Sequence, residues 1–132
     1  MPTTAGTWST IATDRAGNWI ALATGATTTA ISTNNGTTWS AGGTGASSSV
    51  GGQNTFRTDT KGAWLAVQSG GTANVYSLNN GTTWTSASAL PNNGGPLATD
   101  ESGHWIAINS LNTTNVTQFS LINSNMLAVM GV

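Results

Sequence analysis

Charge is what this chain has least of. Its 132 residues include three Lys or Arg, four Asp or Glu and one His, so 5% are charged, against about 25% in an ordinary soluble protein. Nucleic-acid binding rests on cations that neutralise phosphates, and Arg15, Arg57 and Lys61 are too few and too scattered to form a basic stripe. An anionic membrane surface is excluded by the same shortage. Cysteine is absent, so disulfides and thiolate metal sites are absent too. No apolar run approaches the roughly 18 residues of a membrane-spanning helix. Residues 1–6, Met1-Pro2-Thr3-Thr4-Ala5-Gly6, show neither the basic region nor the apolar core of a secretion signal. The expectation is a protein that stays inside the cell, or leaves it by assembly into a particle and lysis.

What remains is rich in Thr, Asn, Ser and Gly, with six Trp as the heaviest apolar payload. The length suits a single domain over residues 1–132. That domain is internally repetitive. Thr13-Asp14-Arg15-Ala16-Gly17-Asn18-Trp19-Ile20-Ala21-Leu22 returns as Thr58-Asp59-Thr60-Lys61-Gly62-Ala63-Trp64-Leu65-Ala66-Val67 and again as Thr99-Asp100-Glu101-Ser102-Gly103-His104-Trp105-Ile106-Ala107-Ile108. Asp14 and Asp59 are 45 residues apart, and Asp59 and Asp100 are 41 apart. Approximate repeats are 1–49, 50–91 and 92–132.

Each copy reads as a hairpin. An apolar residue (Ile11, Phe56 or Leu97) stands three before the Asp, whose carboxylate can accept from the N–H groups of the turn. The Gly three later supplies a left-handed conformation. The strand that follows is apolar on both faces, which predicts cover on two sides, and its central Ala lets a neighbouring sheet come close. About ten residues on, Ser32-Thr33-Asn34-Asn35-Gly36-Thr37-Thr38-Trp39 and Ser77-Leu78-Asn79-Asn80-Gly81-Thr82-Thr83-Trp84 repeat at a spacing of 45. Asn-Gly between β-prone flanks is a strong hairpin signal. Ile31 and Tyr76 precede the two Ser, and Phe119-Ser120-Leu121-Ile122-Asn123-Ser124-Asn125 reads as a third copy without the Gly and the Trp, placing Phe119 with Ile31 and Tyr76. Every repeat is therefore a four-stranded meander: strand, Asp turn, strand, loop, strand, Asn-Gly turn, strand.

The Ser-x-Asx-x-Gly-x-Thr-Trp segment at Ser32, Asn34, Gly36 and Trp39, and again at Ser77, Asn79, Gly81 and Trp84, resembles the Asp-box, or bacterial neuraminidase repeat. The resemblance implies a turn between the outer strands of a β-propeller blade, in a family of sialidases, other glycosidases, receptors and phage tail proteins. Here Asn replaces the box Asp at positions 34 and 79, keeping an acceptor oxygen without the charge. The fold expected is all-β, with three four-stranded blade-like repeats. Propellers usually have four to eight blades, so three make either a partial propeller completed by oligomerisation or, alternatively, a β-trefoil. Ala5-Gly6-Thr7-Trp8 resembles the tail of a box, which places Trp8 beside residues 127–129 in a sheet shared by the termini.

No catalytic set is legible. Sialidases need an arginine triad with a Tyr nucleophile and a Glu partner, whereas this chain has two Arg, and Tyr76 falls at a repeated core position. Asp14, Asp59 and Asp100 share one turn position, and Glu101 adjoins the last of them. A residue present at every turn serves the turn rather than acid–base chemistry. His104 stands where the other repeats have Asn18 and Ala63, a position expected to tolerate any residue, and nothing near it completes a metal site. No residue set implies a cofactor. The Asn-x-Ser/Thr sequences at Asn35, Asn80, Asn112 and Asn115 are what a Thr-rich chain yields by chance.

The functional expectation is a non-enzymatic structural or adhesion module of an extracellular assembly. A bacteriophage virion protein (decoration, tail or fibre) leads, at the virion surface, with other copies or other virion proteins as partners. A carbohydrate-binding, lectin-like domain is the alternative, with loops 42–54 and 110–115 reading cell-surface glycans. A degenerate sialidase-like glycosidase fragment, with Asp100 and Glu101 brought together across an interface, is the second. The apolar tail, 126–132, prefers burial in the domain or on a partner.

Overall fold

The computed structural model describes residues 7–24, 27–46, 55–68, 73–87, 94–109, 116–122 and 125–130. These form twelve strands in three antiparallel meanders of four. The first is β1 (Thr7–Thr13), β2 (Trp19–Thr24), β3 (Thr29–Ser32) and β4 (Ser40–Ala41). Next come β5 (Phe56–Thr58), β6 (Trp64–Ala66), β7 (Val75–Ser77) and β8 (Thr85–Ser86). The last holds β9 (Gly94–Thr99), β10 (His104–Asn109), β11 (Val116–Ile122) and β12 (Asn125–Met130). Strand order within each sheet follows the chain, and no strand is lent from one sheet to another. These are the expected blades. Among the described residues there is no closed barrel, and three independent meanders stacked on one another are not a trefoil.

The blades lie side by side with their first strands together, β1 against β5 and β5 against β9. The core is therefore made between sheets. One apolar cluster joins Ile20 and Leu22 of the first blade to Phe56, Trp64, Ala66 and Val75 of the second, with Ile31 and Trp84 packed at its edge. Another joins Leu65 and Val67 of the second blade to Leu97, Trp105 and Ala107 of the third, with Tyr76 at its edge. Alternation explains the pattern: along a strand successive side chains face opposite sides. In each blade the Trp and Ala of the Trp-Ile-Ala-Leu strand look towards the preceding blade, and the Ile and Leu look towards the next. The small Ala does let the sheets approach, since Ala21, Ala66 and Ala107 are all buried.

The register corrects the sequence alignment in the third blade. Ile20 pairs with Ile31 and Leu65 with Tyr76, but Ile106 pairs with Gln118. Phe119 instead sits across from Trp105, the place that Ser32 and Ser77 take opposite Trp19 and Trp64. The β10–β11 connection is one residue longer than its counterparts, and a one-residue slip sends every side chain to the other face. The Asn-Gly turn is lost with it. In its place β11 and β12 pair without interruption from Thr117–Met130 to Ile122–Asn125. The tail that matched no motif is thus the fourth strand of the third blade.

The termini do not share a sheet. Trp8 pairs with Ala23 within the first blade, and β12 pairs with β11 alone. β1 is the first strand of its own meander, so it is not available as an outer strand for another.

Candidate functional site

Three aspartate turns and two Asn-Gly turns carry every residue that the sequence singled out. The aspartate turns are near-copies. Asp14 Oδ1 accepts from the N–H groups of Ala16 at 2.8 Å and Asn18 at 3.0 Å. Asp59 Oδ1 accepts from Lys61 at 2.8 Å and Ala63 at 2.9 Å. Asp100 Oδ1 accepts from Ser102 at 2.8 Å and His104 at 3.2 Å. Gly17, Gly62 and Gly103 have φ of 101 to 105°, as expected. Sequence reasoning missed the residue after the Asp: Arg15, Thr60 and Glu101 also lie at φ of 60 to 63°, a region costly for residues with a Cβ. Their N–H groups donate to Thr13, Thr58 and Thr99 Oγ1 at 3.1 Å, which helps hold the conformation.

Position His104 is more selective than expected. Its Nδ1 lies 2.8 Å from Asp100 Oδ2, and in the first blade Asn18 Nδ2 donates to Asp14 Oδ2. Two of the three turns therefore engage both carboxylate oxygens. Hydrogen bonds from Ser102, side chain first and then backbone, with His104 adding to them, hold the Asp100 carboxyl well below the usual carboxylate range.

In the Asn-Gly turns Ser32 Oγ accepts from Gly36 N–H at 2.9 Å and donates to Asn34 Oδ1 at 3.0 Å. Asn34 Oδ1 accepts from Thr38 N–H at 2.9 Å, and Asn34 Nδ2 donates to Thr38 Oγ1 at 2.8 Å. Ser77, Asn79, Gly81 and Thr83 repeat these bonds within 0.1 Å. The amide of Asn thus does what a carboxylate could not, since it donates as well as accepts. The tryptophans differ. Trp39 Nε1 donates to Gly36 O at 3.0 Å. Gly81 O is instead taken by the N–H of Gly43 from the first blade at 2.8 Å. Trp84 lies against Phe56, ring centroids 6.2 Å apart. Asn80 Oδ1 accepts from Trp64 Nε1 at 3.0 Å, so only Asn35 of the two described Asn-x-Thr positions stands exposed. Asn112 and Asn115 lie outside the described residues, as do 47–54 and 110–115 of the two loops expected to read glycans.

The concavity that the structure does show lies elsewhere. Where β1, β5 and β9 converge at their aspartate turns they enclose a depression of about 500 Å³. Its wall is one set of repeat positions: Thr13, Thr58 and Thr99, then Arg15, Thr60 and Glu101, with Ile11 and Leu97 as apolar floor. Arg57 lines it too, at the position held by Ala12 and Ala98 in the sister strands. Two of the chain's three cationic residues and one of its four acids thus meet three hydroxyls in one place. The legible signal was a break in the repeat, Arg where its siblings are Ala. Searching for positions that recur passes over it. Among the described residues no group of His, Asp and Glu could hold a metal ion.

Blades packed through their broad faces, with their first strands gathered around one depression, define a β-propeller-like module. The solved structures agree at the level of fold: the chain is similar to part of the crystal structure of an ancestral GH74 enzyme, a member of a β-propeller family, with a TM-score of 0.54 and 16% identity. The likeness covers 94% of this chain and 20% of that one, so the chain spans about a fifth of the enzyme's length. No protein-family model and no curated protein matches it.

Proposed function

We propose that the chain is a non-catalytic structural and adhesive module of an extracellular assembly, most concretely a decoration, tail or fibre component of a bacteriophage virion. The observation that carries the reading is the use made of its carboxylates. All four acids lie on aspartate turns, and Asp14, Asp59 and Asp100 each spend Oδ1 on two backbone N–H groups. Glu101 is left as the single acid facing the central depression, where glycoside hydrolysis takes two. The resemblance of the Ser-Asn-Gly-Trp turns to the Asp-box, frequent in phage tail proteins, and a polar surface with little charge support the virion setting. Particles released from a culture carrying the gene should bind a gold-labelled antibody raised against the chain. Label confined to the cytosol of intact cells would sink the virion reading. Turnover of aryl glycosides that disappears in Asp100→Asn would sink the non-catalytic one.

One observation favours a second reading, carbohydrate binding. The central depression sets Arg15 and Arg57 beside three threonine hydroxyls, groups suited to a hydroxylated or carboxylated sugar. Chemical-shift changes at Thr13, Thr58 and Thr99 on adding sialic or uronic acids would support it, and their absence at millimolar sugar would count against it.

A further inference from the structure

The two junctions between blades use the same repeat positions, and the third blade keeps those positions with nothing on them. Ile20 and Leu22 are fully buried by the second blade, and Leu65 and Val67 fully buried by the third. Their counterparts Ile106 and Ile108 are each 41% exposed. Beside them runs an apolar groove of about 340 Å³ lined by Ala98 and Ile106. Gln118 replaces the Ile31 and Tyr76 of the sister blades on this face and is its polar member. At the other end of the arc the first blade lacks a preceding neighbour. Phe56 and Leu97, which insert into the blade before them, are buried, whereas their counterpart Ile11 is 51% exposed. The Asn-Gly turns repeat the contrast. A Cβ on Gly81 would stand 2.6 Å from Ile20 Cδ1 of the neighbouring blade, while one on Gly36 would meet nothing nearer than its own Trp39 ring at 3.8 Å.

The open faces are therefore the two halves of a junction that the chain already makes twice. Burying exposed apolar surface drives association, and a heterologous contact closes into a ring when its rotation allows. We infer that a second copy of the chain covers both faces, head to tail, so that Ile106 and Ile108 of each copy receive Ile11 and Trp19 of the other. Two such junctions across a twofold axis join six blades, within the four to eight of closed propellers, whereas three copies would give about nine. The pairing holds whatever assembly the chain serves.

Sedimentation equilibrium of the full chain and of Ile106→Glu and Ile11→Glu tests it. Both substitutions fall on surface exposed in the single chain, so each variant should keep the wild-type far-ultraviolet spectrum and fluorescence. The wild type is expected to sediment at twice its 13.3 kDa chain mass, each variant at half of that, and the two variants mixed should regain part of the lost dimer through their one intact junction. A monomeric wild type at all concentrations would overturn the inference. So would a dimer that Ile106→Glu breaks and Ile11→Glu leaves whole, since that would be face-to-face pairing of the third blades, and so would an open series of larger masses.

Discussion

The N–H of Gly43 donates to the carbonyl of Gly81 at 2.8 Å, tying the first blade to the Asn-Gly turn of the second. The bond needs both backbones bare. A Cβ on Gly43 would sit 2.4 Å from Thr82 O, and one on Gly81 would meet Ile20 and Ile31. Gly36 and Gly81 share φ of 78°, so alanine suffers the same backbone strain at both, about 1–2 kcal/mol. Only Gly81→Ala adds overpacking of an apolar junction, about 1–3 kcal/mol. Urea unfolding should show Gly81→Ala less stable than Gly36→Ala by that difference. Equal losses would mean that the clamp contributes nothing.

The aspartate turns offer one motif at three depths. Asp14 and Asp59 are buried and Asp100 is exposed. Removing an acceptor costs most where water cannot replace it. Asp59→Ala, which orphans the buried N–H of Ala63, should cost about 2–3 kcal/mol. Asp14→Ala should cost somewhat less and Asp100→Ala least. Unfolding midpoints in any other order would contradict this account of the turn.

Acid should weaken the third turn in a definite direction. The folded-state carboxyl of Asp100 lies below its ordinary value of 3.8, so the folded state binds this proton less readily than the unfolded one. Its contribution is complete above about pH 4, shrinks as the pH falls below that, and is gone once the folded carboxyl protonates. Wild type and Asp100→Asn should accordingly converge in stability near pH 2 and separate towards pH 6. A constant gap across that range would show that the charge is not the cause.

Thr60 is a β-branched residue at φ of 63°, a conformation in which its Cβ crowds the backbone. Glycine relieves about 1–2 kcal/mol of that strain and loses about 0.5–1 kcal/mol through the freer unfolded chain. Thr60→Gly should therefore raise stability by about 0.5–1 kcal/mol. A fall in the melting temperature would mean that the Thr60 side chain is needed where it lines the central depression.

Much of this architecture could be read from the sequence because it is repeated. Asp14, Asp59 and Asp100 mark three identical turns, and the Trp-Ile-Ala-Leu strands declare two apolar faces. What the strands could not declare is whether each face is covered. Ile20 and Ile106 have the same neighbours in sequence, yet one is buried and the other open, because cover comes from the next blade. Phe119 was placed wrongly since one extra residue in a connection reverses a strand without altering its composition. The central depression was hidden for a related reason. Its wall is assembled from Thr13, Arg57 and Glu101, single residues from three repeats that only the stacking of β1, β5 and β9 brings together.

The most direct test of a three-blade arc with complementary open ends is the native mass of the purified chain. The account predicts one species at twice 13.3 kDa that persists on dilution to the micromolar range. A single species at 13.3 kDa, with Ile106 and Ile11 left in water, would contradict it.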